Sequence, residues 1–94
     1  MAEQIPIAFP AGVAASDPIQ LRSPKGKGYE INDVGVGGFT GTADLEVSVS
    51  KNGVWTAIVS PIANGQGAIA DQYNWVRVNV TVNTGSAPDI VVTG

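Results

Sequence analysis

Few residues in this sequence can do chemistry, and their types narrow the options. The chain has neither His nor Cys. Ser–His and Cys–His nucleophile pairs, thiol redox chemistry and zinc sites built on imidazole or thiolate therefore have no members. Carboxylate pairs remain. Asp44 and Glu46 stand two apart in an alternating segment, which places them on one face of a strand about 6.5–7 Å apart, a spacing within reach of glycosidase chemistry. They alternate with apolar residues of a half-buried strand, so a solvated outer face is the plainer reading.

Other motifs meet similarly bland alternatives. The run Gly35-Val36-Gly37-Gly38-Phe39-Thr40-Gly41 lacks the lysine of a phosphate loop, and no helix follows to present its N-terminus to an anion. A strand corner or bulge explains it better. Asn32, Asp33 and Asp71 offer oxygen ligands but not the spacing of a calcium loop, and Asx residues bonding their local backbone account for them. Lys25-Gly26-Lys27 suits an acidic partner or, more simply, a solvated loop. Asn79-Val80-Thr81 matches a glycosylation acceptor, but it falls in the middle of a strand pattern.

The aromatic residues are more informative. Tyr73 and Trp75 share a parity with Arg77 on the face of the last long strand opposite Val76, Val78, Val80 and Val82, and Trp55 follows an Asn-Gly pair. Aromatic residues beside Arg on an outward face mark interface hot spots. The same residues would serve as a sugar-stacking platform, or as packing inside a two-sheet sandwich. All three readings stay open.

The elements that must position these groups are strands. Thirteen Val and eight Ile stand against two Leu, with twelve Gly and six Pro as punctuation. β-branched side chains are stiff in helices and pack well on pleated surfaces. The chain of 94 residues makes one domain with a modest core. Its net charge of −3 and five scattered Lys and Arg offer no basic groove for nucleic acid. It has no apolar run of about 18 residues to cross a membrane, and MAEQIPIAFPAG has neither the basic start nor the unbroken apolar stretch of a secretory signal. Synthesis in a cytoplasm is expected.

Residues 1–28 differ from the rest, with Pro6, Pro10, Pro18 and Pro24 recurring through them. Pro6, Pro10 and Pro18 fix φ and press their predecessors into extended geometry, so 1–18 reads as an extended N-terminal arm with at most a short edge strand, leaving 19–94 as the folded domain. In that domain Ile19–Arg22 alternates, and Tyr29–Val36 alternates until a shift near Asp33. Ala43, Leu45, Val47 and Val49 oppose Asp44, Glu46, Ser48 and Ser50. Asn52-Gly53 favours positive φ and predicts a tight hairpin, with Val54–Ser60 as its return strand. Gln66–Ala70, Tyr73–Val82 and Pro88–Val92 complete about seven short antiparallel strands, at a spacing that predicts an all-β sandwich or jelly-roll-like barrel.

Taken together, Leu45-Glu46-Val47-Ser48-Val49-Ser50, Asn52-Gly53-Val54-Trp55 and Tyr73-Asn74-Trp75-Val76-Arg77-Val78-Asn79-Val80-Thr81 resemble small β-sandwich proteins of tailed bacteriophage virions. The shared pattern is a strand, an Asn-Gly or Asp-Gly hairpin ending in Trp, a loop, and an aromatic-Val-Arg strand. It covers roughly residues 40–92 and occurs in capsid decoration (cement) proteins and in head-fibre and tail modules. The resemblance implies a non-enzymatic protein without cofactors, a homo-oligomer, expected as a trimer, that binds the major capsid protein on the outside of the particle. The expected contact residues are Ile5, Ile7 and Phe9 of the arm, with Trp55, Tyr73, Trp75 and Arg77 of the aromatic face. The alternative is a carbohydrate- or receptor-binding module of a head or tail fibre.

Overall fold

A computed structural model describes residues 3–94. The described residues form eight strands and no helix: β1 (Gln4–Pro6), β2 (Ile19–Gln20), β3 (Gly28–Asn32), β4 (Thr42–Ser48), β5 (Thr56–Val59), β6 (Gly65–Ala68), β7 (Trp75–Val82) and β8 (Asp89–Thr93). They make two four-stranded antiparallel sheets, sheet A in the order β1-β8-β3-β6 and sheet B in the order β2-β7-β4-β5. The pairs β1·β8, β2·β7, β3·β6 and β4·β5 are those of one long hairpin, and β3·β8 and β4·β7 roll that hairpin into two layers. This is the connectivity of a jelly roll.

Period-2 patterning puts the core between the layers. Ala43, Leu45 and Val47 of β4 pair with Val80, Val78 and Val76 of β7, and all six are buried. Ile31 of β3 faces Ile90 of β8 across sheet A, and Val92 closes the same face. β7 stops being buried at its end, where Val82 is 48% exposed.

Antiparallel strands send successive loops to alternate ends. The β1–β2, β3–β4, β5–β6 and β7–β8 loops meet at one end: Asn64 exchanges hydrogen bonds with the backbone of Val34, Asn83 donates to the carbonyls of Pro10 and Gly12, and Phe39 bridges Gly85. The β2–β3, β4–β5 and β6–β7 loops meet at the other. There Lys27 is only 4% exposed, and its Nζ donates to the carbonyls of Asp71 and Tyr73 at 2.8 Å and to Asn74 Oδ1 at 3.2 Å. Lys27 was expected in a solvated loop; its four-carbon stem instead carries the ammonium to three acceptors of the β6–β7 connection.

Three local expectations change. The 1–18 segment is extended, but its described part lies on its own chain; Met1 and Ala2 lie outside the described residues. β1 pairs with β8, Ile7 donates to the carbonyl of Ile90, and residues 14–16 run beside β7. Pro6 is tolerated because β1 is an edge strand. The Asn52-Gly53 pair does not close a tight hairpin: neither residue has positive φ, and the connection spans residues 49–55, held by Ser48 Oγ donating to the Ser50 carbonyl at 2.6 Å and Gly53 N donating to the same carbonyl at 3.1 Å. β3 ends at Asn32 because Asp33 turns to φ +64°, after which Gly35 and Gly37 carry the chain through positive φ at no steric cost.

Candidate functional site

The outer face of sheet B carries a cluster of aromatic and cationic side chains. Its layout follows from register. Glu46 of β4 lies opposite Arg77 of β7, and Ser48 lies opposite Trp75. Since Thr56 opposes the inward Val47, the preceding residue, Trp55, falls on the outward face beside Glu46 and Arg77. Alternation thus brings Glu46, Trp55 and the pair Trp75 and Arg77 together from three separate stretches of sequence.

The contacts within this cluster are specific. Arg77 Nε donates to Glu46 Oε1 at 2.7 Å, and the Arg77 guanidinium carbon stands 4.3 Å from the centre of the Trp55 ring. Arg77 is therefore gripped by a carboxylate and an aromatic face at once, with its side chain 25% exposed and that of Glu46 13% exposed. Lys51 places its ammonium 5.8 Å from the centre of the Trp75 ring. Cation–π contacts at exposed sites contribute about 0.5–1 kcal/mol each, and an accessible ion pair about as much. These terms are small for folding. Their effect is to hold rotamer-rich side chains in place before any partner arrives, which lowers the entropy cost of association. Val54, 85% exposed, precedes Trp55, and Val49, 59% exposed, follows Ser48, the residue opposite Trp75; Asn74 secures the loop by donating its backbone N–H to the Ser48 carbonyl.

The other candidates lie elsewhere. Ile7 is a core residue, and Ile5, Phe9 and Tyr73 pack against the core. Phe9 meets Phe39 edge to face, with ring centres 5.0 Å apart. Tyr73 precedes the start of β7, so its parity with Trp75 does not place it on the outer face. Within this chain Ile7 is therefore buried, whereas Ile5, Phe9 and Tyr73 pack against the core and stay partly exposed. For Trp75 and Arg77, packing between the sheets is ruled out by their outward position. Glu46 and Lys51 were missed as members of the cluster. The outward parity of Glu46 was visible, but its pairing with Arg77 depends on a long-range register that no local pattern supplies.

Asp44 and Glu46 do share the outer face, as their spacing implied. Each is engaged, Asp44 Oδ1 accepting from Ser60 Oγ at 2.7 Å and Glu46 from Arg77. Among the described residues no group of three or more acidic side chains comes together to hold a metal ion. The outer face of sheet A bears a second feature, a shallow open groove of about 560 Å³ lined by Gln4, Glu30, Gln66, Val91 and Thr93. Compared with known proteins, the chain matches no family model, no curated protein and no solved structure.

Proposed function

We propose that this chain is a structural binding module of a bacteriophage virion, a capsid decoration protein that docks on the major capsid protein through the outer face of sheet B and acts as a homo-oligomer. The observation that carries the reading is the pre-set array of Trp55, Arg77 and Glu46 on that face. Trp and Arg are the residues most enriched at interface hot spots, and a ring of weaker contacts around them excludes water. The motif pattern of residues 40–92 supports the virion setting. The jelly-roll connectivity is compatible with it by analogy, since viral capsid and lectin domains share that architecture. Stabilisation of a capsid needs no chemistry: modest contacts at many lattice positions add through multivalency. Synthesis in the host cytoplasm and residence on the capsid surface follow from this reading.

The fibre-module alternative draws less from the geometry. A sugar stacks on a bare aromatic face, and one face of Trp55 is already covered by Arg77.

The test is retention on particles. Purified protein is mixed with expanded empty capsids of the phage that encodes it, and the capsids are pelleted. Wild-type protein is expected to pellet with them, and Trp55→Ala/Arg77→Ala to bind at least about tenfold more weakly while still melting cooperatively, only several degrees lower. Failure of the wild type to pellet, or full retention of the variant, overturns the proposal.

A further inference from the structure

The solvent-facing apolar residues are not spread over the surface. Among the described residues five large hydrophobic side chains are exposed, and all lie at the ends of the sandwich. Val36 (106% exposed, the tip of the β3–β4 loop), Val13 (68%) and Val82 (48%) belong to the four-loop end, and Val54 (85%) and Val49 (59%) to the three-loop end. The outer faces of the strands carry none. The total exposed surface, 5209 Å², matches the roughly 5,100 Å² expected of a monomer of this mass. The fold is therefore not generally short of burial; what it leaves wet is placed.

The charges divide along the same axis. The four loops of one end contain only Asp17 and Asp33 as charged residues, and Asp17 already lies where the chain runs back beside β7. Asp89 opens β8 opposite Asn32, next to Asp33. No Lys or Arg lies there. All five of the chain's basic residues belong to the other end: Arg22, Lys25, Lys27 and Lys51 in its loops, and Arg77 near the start of β7. Of these, Arg22, Lys25 and Lys51 are exposed, beside the acids Glu3 and Asp71.

We infer that copies of this chain associate head to tail, the four-loop end of one seating Val36 and Val13 against Val54 and Val49 at the three-loop end of the next. Apolar contact supplies the attraction, since burying a Val side chain is favourable. Charge sets the polarity. Matching four-loop ends would bring Asp33 and Asp89 against their own copies, and matching three-loop ends would do the same for Arg22, Lys25 and Lys51. The head-to-tail arrangement opposes unlike charges, which selects among otherwise similar encounters. A contact between two different patches is heterologous, so it closes into a ring where the rotation permits and otherwise runs on as an open string. This deepens the self-association in the proposed function by naming the surfaces, and it stands or falls without any capsid.

The experiment uses two variants at fully exposed positions, Val36→Asp and Val54→Asp, studied by sedimentation velocity across a concentration series, with thermal melts to verify folding. Wild-type protein is expected to self-associate with rising concentration, and less so at high salt. Each variant alone is expected to self-associate at least tenfold more weakly. Mixed, they are expected to form a capped 1:1 dimer, because Val36→Asp retains an intact three-loop end and Val54→Asp an intact four-loop end. A wild type that stays monomeric throughout, a single variant that associates like the wild type, or a mixture that stays monomeric overturns the inference. Capsid retention without head-to-tail pairing would leave the docking proposal standing, and pairing without retention would do the reverse.

Discussion

Phe9 and Trp55 are both half-buried aromatic residues, but different partners hold them. Phe9 leans on Phe39, a fully buried ring, within a segment whose Ile5 and Ile7 also pack inward. Trp55 leans on a guanidinium that is itself tied to a carboxylate, on the side of sheet B facing water. Removal of the first arrangement takes apolar area out of the core. Removal of the second loosens side chains that the fold can do without. Equal burial thus hides unequal purpose, and the nature of the neighbour distinguishes a residue that holds the fold from one available to a partner.

Four substitutions sharpen or break this contrast. The largest effect is expected at Phe39→Ala, which empties the ring site shared by Phe9 and should destabilise by about 3–5 kcal/mol in urea titration; a loss under about 1 kcal/mol would mean that the N-terminal segment does not pack as described. Lys27→Ala strands the carbonyls of Asp71 and Tyr73 and the side chain of Asn74. These hydrogen bonds to a charged group are only part-buried, and such bonds contribute about 1.5–3 kcal/mol, so a loss of roughly 1–3 kcal/mol is expected, with faster hydrogen exchange in the β6–β7 loop. Ile7→Val, a single methylene from a core position, should cost about 0.5–1.5 kcal/mol and leave partner binding alone. Smallest of all is the Trp55–Arg77 pair: a double-mutant cycle to Ala should return a coupling of about 0.5–1 kcal/mol, and a coupling of zero would mean that the two side chains are not held together in solution.

The strands were legible where side-chain period alone decides. β4 alternates so regularly that its inward aliphatic and outward polar residues could be assigned without coordinates, and the two faces of β7 could be told apart. The N-terminal segment was not legible, because prolines argue against a central strand and say nothing about an edge; Pro6 needs only a side of β1 that faces no partner. The turn at Asn52-Gly53 misled for another reason. Its residues favour a tight hairpin, but Ser48, Ser50 and Asn74 offer the 49–55 loop other hydrogen bonds, and those win. The site was half legible: parity put Trp75 and Arg77 on the face opposite the valines without deciding whether that face packs or meets water, while the neighbours Glu46, Trp55 and Lys51 depend on which strands lie side by side. That information resides in long-range pairing. The same limit misplaced Tyr73, which shares a parity with Trp75 but precedes the strand.

The contrast between the two regions is tested most directly by hydroxyl-radical footprinting of the free and capsid-bound protein. The predicted result is that oxidation of Trp55 and Trp75 falls at least several-fold on binding, while Phe9 reacts to the same extent in both states. Unchanged reactivity of the two Trp residues, with new protection confined to residues 5–9, would contradict the assignment of sheet B's outer face as the docking surface.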